Sequence, residues 1–158
     1  MANKVLIATG EGTDGQVFTS NGAGAAPSFK DAGGGGASSA VLATAAYQNL
    51  TSGWQKINFS TEVVDVGGDY STVNKRFTVP VDGAGLFWAS FKVYCSAAVT
   101  NVAIYKNGSL LSSSASLPGN NTREMGRLID LDDSDYIEFY INSSAVIYSG
   151  DLSIFKVT

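Results

Sequence analysis

The clearest structural signal in the chain is the stretch LFWASFKVYC at residues 86–95. Alternate residues from Phe87 to Cys95 are all apolar, whereas the positions between them are mixed. Side chains alternate between the two faces of a β-strand, so this pattern predicts a strand with one buried face. The stretch YIEFYIN at residues 136–142 repeats the pattern and predicts a second such strand, with outward side chains at Tyr136, Glu138, Tyr140 and Asn142.

Shorter segments of the same character occur along residues 40–158. After one of them, Asn107-Gly108 favours the tight turn of a β-hairpin. No segment shows sustained helical periodicity. About eight to ten short strands in this part of the chain predict an all-β antiparallel sandwich. The further strands are predicted at residues 40–45, 55–59, 77–81, 102–105, 124–131, 145–148 and 152–157.

The last predicted strand carries large apolar groups on both of its faces. Leu152 and Ile154 fall on one face, while Phe155 and Val157 fall on the other. A strand in a two-layer sandwich normally buries one face only. We therefore expect one sheet to pack against neighbouring subunits. The residues expected at that interface are Leu152, Ile154, Tyr148 and Phe77.

The first quarter of the chain differs from the rest in composition. Nine of the 18 glycines lie before residue 37, and the run of four at residues 33–36 is typical of a flexible linker. Short extended pieces are predicted at residues 15–22 and 26–29. We expect a glycine-rich attachment arm and linker at residues 1–39 and a head domain at residues 40–158.

The composition excludes several classes of function. The 158 residues contain no histidine, which removes the commonest general base and the commonest zinc ligand. The single cysteine, Cys95, lies on the apolar face of its strand and is predicted to be buried. A net charge of -4 argues against nucleic acid as a partner, and no apolar run is long enough to cross a membrane. We predict that the protein is not an enzyme.

The most chemical-looking run is DLDDSD at residues 130–135. Clustered carboxylates suit a calcium site, although the run does not match an EF-hand loop. The alternative is a solvated β-turn whose Asp and Ser side chains accept backbone hydrogen bonds. No cofactor is predicted, and calcium is kept as the less favoured interpretation. Its candidate ligands are Asp130, Asp132, Asp133 and Asp135.

The order of motifs in residues 40–158 resembles the complement C-one-q-like globular domain. That family is similar in fold to tumour necrosis factor, so the resemblance implies a ten-stranded jelly roll that assembles as a homotrimer. The chain has Ser134-Asp135 where the family usually has Gly-Asp, and Asp151 where it usually has an aromatic residue. The resemblance rests on Asp69-Tyr70, residues 76–83 (RFTVPVDG), residues 86–90 (LFWAS), residues 104–108 (IYKNG), residues 131–137 and Tyr148-Ser149-Gly150.

A second resemblance covers residues 15–29, GQVFTSNGAGAAPSF. This segment is similar to a short repeat of bacteriophage tail fibres and other virion fibre proteins. The pairing implies a protein of the virion surface, with residues 1–39 contacting other virion proteins and the trimeric head facing outward. One interpretation is a tail fibre or fibre tip that attaches to a host-surface saccharide or protein. The alternative is a capsid decoration or cement protein, or a head fibre, that stabilises the shell.

A receptor site on such a head requires exposed aromatic and hydrogen-bonding groups. Uncharged saccharides are held by ring stacking and by amide or hydroxyl contacts. The loops at residues 112–122 and 142–144 are rich in Ser and Asn and are candidates for such contacts. The candidate ligand-binding residues are Trp54, Trp88, Tyr94, Asn120 and Asn121.

Overall fold

The computed structural model describes residues 16–19, 28–31, 40–96, 101–115, 121–142 and 144–157. The chain divides into two units, Met1–Gly35 and Gly36–Thr158. The described part of the first unit is an antiparallel pair of short strands, β1 (Gln16–Thr19) and β2 (Ser28–Asp31). Both predicted extended pieces are therefore strands, the second starting two residues later than expected. The predicted linker at residues 33–39 lies outside the described residues.

The second unit is an all-β jelly-roll sandwich of two antiparallel sheets. The first, which we call the front sheet, has the strand order β12-β9-β14-β3-β6, with β4 paired to β14. It contains β3 (Ala40–Ala45), β4 (Gln48–Asn49), β6 (Thr61–Val66), β9 (Gly85–Cys95), β12 (Thr122–Leu131) and β14 (Val146–Lys156). The second, or back sheet, has the order β11-β10-β13-β8-β7, with β5 paired to β13. It contains β5 (Trp54–Lys56), β7 (Tyr70–Ser71), β8 (Arg76–Thr78), β10 (Asn101–Lys106), β11 (Ser109–Ala115) and β13 (Tyr136–Asn142).

The core lies between the two sheets and follows the alternation in the sequence. All five apolar positions from Phe87 to Cys95 are buried, as predicted. Phe91 of the front sheet packs against Phe139 of the back sheet, with ring centroids 5.2 Å apart. Phe59 contacts both rings, at 6.4 Å and 5.9 Å. These three phenylalanines join the two sheets.

One prediction about the last strands is wrong. Residues 145–148 and 152–157 were expected to be two strands, but they belong to one continuous strand, β14. The strand continues because Gly150 allows β9 to approach closely, since a Cβ there would lie 2.8 Å from the Lys92 carbonyl oxygen. The register shifts between Ile147 and Ser149, which makes Tyr148 the irregular residue of the pairing with β9.

The structure adds strands that the sequence pattern did not predict, namely β4, β6, β7 and β11. Residues 112–115 were expected in a loop but lie in β11, which pairs with β10. The turn between these strands is the predicted one, because Asn107 and Gly108 both have positive φ, at 51° and 76°. The serines of β11 are tolerated because the strand is the edge of its sheet.

Three of the four predicted interface residues are placed in the protomer's own core. Leu152, Ile154 and Phe77 are exposed by 1%, 1% and 0%, so their assignment to a subunit interface is wrong. The physical reason is the orientation of β14, whose other face carries the exposed side chain of Phe155; Val157, one residue beyond the strand, is exposed as well. Tyr148 is about half exposed, and its place in an interface stays a prediction.

Candidate functional site

The outer face of the front sheet carries a line of apolar side chains across five strands, which we call the apolar rung. Leu128 lies opposite Trp88, Trp88 opposite Phe155, Phe155 opposite Ala40, and Ala40 opposite Val66. Leu128, Phe155 and Val66 are each about half exposed. Monomeric soluble proteins rarely expose a contiguous line of large apolar groups, so this face has the character of an interaction surface.

A groove of about 530 Å³ lies beside the apolar rung on the same face. Its floor consists of small residues from three adjacent strands, Gly126, Ser90 and Ser153. Trp88 leans over Gly126, where an added Cβ would lie 2.6 Å from its ring. On the far side the groove is lined by charged residues in register across the strands. These residues are Glu124, Lys92 and Asp151.

Three exposed tyrosines form a cluster at one end of the front sheet. The ring of Tyr148 lies 5.5 Å from that of Tyr94 and 6.3 Å from that of Tyr47. The irregularity at Tyr148 gives its side chain a different direction from that of a regular strand residue, and bulges commonly have this effect. Tyr94 and Tyr148 are therefore brought together, although the sequence analysis gave them different roles.

The outer face of the back sheet carries a second aromatic group, Trp54, Tyr105 and Tyr140, which we call the aromatic platform. The rings of Tyr105 and Tyr140 lie 4.4 Å apart, and Trp54 meets Tyr105 edge-on at 6.3 Å. Ala103, on the same side of β10 as Tyr105, is completely buried. Trp54 is 38% exposed and forms the open end of the platform.

A charged pair lies beside the aromatic platform on the same face, and its Lys56 Nζ is 6.0 Å from the centroid of the Tyr140 ring. The Lys56 Nζ donates to Glu138 Oε1 at 2.6 Å and to the Asn74 carbonyl at 3.2 Å. The Tyr140 hydroxyl donates to the other oxygen of Glu138 at 3.2 Å. Burial and the adjacent charge of Glu138 raise the pKa of Tyr140 to about 12, so its hydroxyl stays protonated at neutral pH. Farther along the same face, the Arg76 guanidinium lies 4.4 Å above the ring of Tyr136.

The acidic run uses its carboxylates to hold its own turn and the neighbouring loop at residues 82–84. Asp133 accepts hydrogen bonds from the backbone N–H groups of Ala84 and Asp82, at 2.8 Å and 3.0 Å, and these bonds lower its pKa. Partial burial opposes ionisation of Asp135, but hydrogen bonds from Lys106 and Asn107 outweigh it and lower its pKa.

The calcium candidates Asp130, Asp132, Asp133 and Asp135 therefore do not converge on a common point. Asp135 accepts a hydrogen bond from the Asp132 N–H at 2.8 Å and forms an ion pair with Lys106 at 2.6 Å. In the described ranges, no three His, Cys, Asp or Glu side chains are grouped as metal ligands. The geometry matches the alternative interpretation, a turn stabilised by side-chain acceptors.

The structure separates the predicted ligand-binding residues instead of gathering them. Trp54 lies on the back sheet, whereas Trp88 and Tyr94 lie on the front sheet. Asn121 is exposed, and its carbonyl accepts the Cys95 N–H. Asn120 lies outside the described residues. The platform residues Tyr105 and Tyr140 were not named as candidates, although the alternation at residues 136–142 already predicted that Tyr140 points outward.

The fold defines a class, the jelly-roll head that the sequence resemblance predicted, and this resemblance is confirmed. The chain is similar in structure to the globular domain of the zebrafish complement 1qA protein, with a TM-score of 0.57 and 12% identity over 77% of this chain and 98% of that one. It is also similar to the vertex protein P5 of phage PRD1, with a TM-score of 0.62 and 13% identity over 78% of this chain and 100% of that one.

The sequence itself gives no closer assignment. No family model matches the chain, and no curated protein matches it by sequence. At 12% and 13% identity the two structural likenesses establish the fold alone. Within the described segments there is no helix with the length and hydropathy needed to cross a bilayer.

Proposed function

We propose that this chain is a phage virion protein, a tail fibre or fibre tip whose homotrimeric head attaches to the host surface. The observation that carries the proposal is the head fold, which is shared with the whole chain of a phage vertex protein. The fibre-type segment at residues 15–29 supports the same assignment from a separate part of the sequence. Residues 1–39 join the head to other virion proteins.

The head trimerises through the outer face of the front sheet. The apolar rung supplies the large side chains that burial between copies would stabilise, namely Leu128, Phe155 and Val66 around Trp88. These residues replace the three core residues that the sequence analysis assigned to the interface. The homotrimer itself is the assembly that the C-one-q-like resemblance implies.

A second candidate is a capsid-bound protein, either a decoration protein or a head fibre. One observation favours it: the similar PRD1 protein is named for the vertex of its particle. In this alternative the same trimer stands on the shell, and the arm at residues 1–39 gains order by binding capsid subunits. The two candidates differ in location and agree on the fold and the assembly.

Immunogold labelling of intact virions of the encoding phage, with antibodies against the head, tests the location. Gold at the tail supports the fibre, and gold over the shell supports the capsid-bound alternative. A protein that is absent from purified virions overturns both. Sedimentation of the full chain tests the assembly. A trimer has three times 16.4 kDa, or about 49 kDa, and a species of 16.4 kDa at micromolar concentration overturns the trimer.

A further inference from the structure

We propose that the aromatic platform of the back sheet, Trp54, Tyr105 and Tyr140, binds an uncharged saccharide. The inference rests on the proposed role in host attachment and specifies the ligand class and the place where it binds. A pyranose ring has one face of C–H groups, which packs on an aromatic ring, and an edge of hydroxyls, which requires hydrogen-bond partners. Tyr and Trp provide both kinds of contact from side chains with few rotatable bonds.

The platform has both kinds of group in position. Trp54 presents a partly exposed indole, and Tyr105 lies beside it, so the two rings form two sides of a shallow corner. Neither the Trp54 indole N–H nor the Tyr105 hydroxyl has a hydrogen-bond partner among the described residues. These two groups are therefore available to sugar hydroxyls.

The charge at the platform favours a neutral ligand. Lys56 and Glu138 form a closed ion pair, and Tyr140 is a neutral donor that is committed to Glu138. An acidic sugar at the platform would need a neighbouring cation free of such pairing. Lys56 is already engaged by Glu138 and by the Asn74 carbonyl, and Arg76 lies farther along the face, stacked on Tyr136. The net charge of -4 on each chain further disfavours anionic glycans.

The platform also lies on the side of the sandwich that the proposed trimer leaves open. The apolar rung and the tyrosine cluster around Tyr94 belong to the front sheet, whereas the platform belongs to the back sheet. A homotrimer would therefore present three platforms. Weak single sites of this kind gain apparent affinity when one particle engages several sugars at once.

The test is a glycan microarray probed with the full chain, followed by calorimetric titration of each bound sugar in solution. The array carries neutral oligosaccharides of glucose, galactose, mannose and N-acetylglucosamine, together with sialylated and uronic-acid glycans. We expect binding to at least one neutral glycan. Trp54→Ala and Tyr105→Ala should each weaken that affinity at least tenfold, whereas Tyr47→Ala, an exposed tyrosine of the other cluster, should leave it unchanged.

Several results would overturn the proposal that the aromatic platform binds an uncharged saccharide. These are an array with no neutral glycan bound, binding to acidic glycans only, or an unchanged affinity in both platform variants when circular dichroism shows that they are folded. Loss of binding in Tyr47→Ala alone would move the site to the tyrosine cluster and would also refute it. These outcomes do not affect the virion assignment, because the location and the assembly are measured by immunogold labelling and sedimentation, which do not require the protein to bind a sugar. If the protein is a trimer on the virion but binds no neutral glycan, the saccharide site is refuted and the virion assignment is not.

Discussion

Phe155 of β14 lies directly opposite Trp88 of β9, and both side chains point away from the core. The neighbouring residue Ile154 lies opposite Ala89, and both of these are buried. One strand pair therefore contributes to two apolar surfaces, the core of the protomer and the outer face of the front sheet. The outer surface remains exposed in a single copy, which is the physical basis for the proposed assembly through this face.

Phe155→Glu should convert the proposed trimer to a folded monomer. The substitution places a charge in the centre of the apolar rung, where burial between copies would leave it without a partner. Sedimentation should show a fall from about 49 kDa to 16.4 kDa with an unchanged circular dichroism spectrum. The matched control is Val73→Glu, at a highly exposed residue away from the front sheet, which should stay trimeric. A trimeric Phe155→Glu protein would contradict the interface.

Phe139→Ala should destabilise the head by about 3–5 kcal/mol, the usual cost of deleting a buried phenylalanine side chain. Phe139 is 1% exposed and contacts Phe59 and Phe91, so its loss leaves a cavity between the sheets. Urea unfolding followed by circular dichroism, at one fixed protein concentration, measures the change. An unchanged unfolding midpoint would mean that these rings do not join the sheets as described.

Gly126→Ala should displace the ring of Trp88 and weaken assembly. The new methyl group would lie 2.6 Å from that ring, which closes part of the groove and reshapes the apolar rung. Fluorescence in a Trp54→Phe background, where Trp88 is the one remaining tryptophan, reports the displacement. Ser90→Ala, a smaller change on the same groove floor, is the control and should leave the emission maximum in place. An identical spectrum for both variants would contradict the close approach of Trp88 to Gly126.

Asp133→Asn should lower the melting temperature at neutral pH and reduce the loss of stability in acid. Backbone hydrogen bonds from Ala84 and Asp82 hold the pKa of Asp133 below its ordinary value of 3.8. The ionised group therefore stabilises the fold above pH 3.8, and this contribution is lost as pH falls through the lower folded pKa. Melting curves between pH 2 and pH 7 measure it, with Asp130→Asn as the control in the same acidic run. A gap between wild type and Asp133→Asn that is constant over this range would refute the prediction.

Lys56→Met should destabilise the head more than the double change Lys56→Met with Glu138→Gln. Glu138 is only 6% exposed, so removing its cation leaves a nearly buried carboxylate without its charge partner, at a cost of about 1–3 kcal/mol. The double variant removes the charge as well and should recover part of the loss. Thermal unfolding of the four proteins of this cycle measures the coupling. If the two changes are simply additive, the pair is not an interacting unit.

Much of the fold follows from local pattern. The alternation at residues 86–95 predicted which side chains of β9 are buried, and Asn107-Gly108 predicted the tight turn that follows β10, although not the strand β11 after it. The same kind of pattern showed apolar residues on both faces of β14, but it does not indicate which face packs against the opposite sheet. The sequence therefore favoured Ile154 over Phe155 as an interface residue, because only the stacking of the two sheets determines which of these side chains is buried in the core.

The aromatic platform depends on cross-strand register, which local sequence does not carry. Trp54 and Tyr140 lie on paired strands although 86 residues (140 minus 54) separate them in the chain. The continuity of β14 likewise depends on the close approach of β9 at Gly150. Periodicity identified the strands well, whereas the contacts that build a surface come from how the strands are ordered within a sheet.

The serine-rich strand β11 has features that oppose association of copies of this head along a sheet edge. It is the edge of the back sheet, and its register against β10 is broken by an irregularity between Ile104 and Tyr105. A flat, apolar edge would recruit further strands and lead to filaments, and hydroxyl side chains together with a kink oppose that growth. Crowded copies of this head should accordingly not stack open-endedly along the β11 edge.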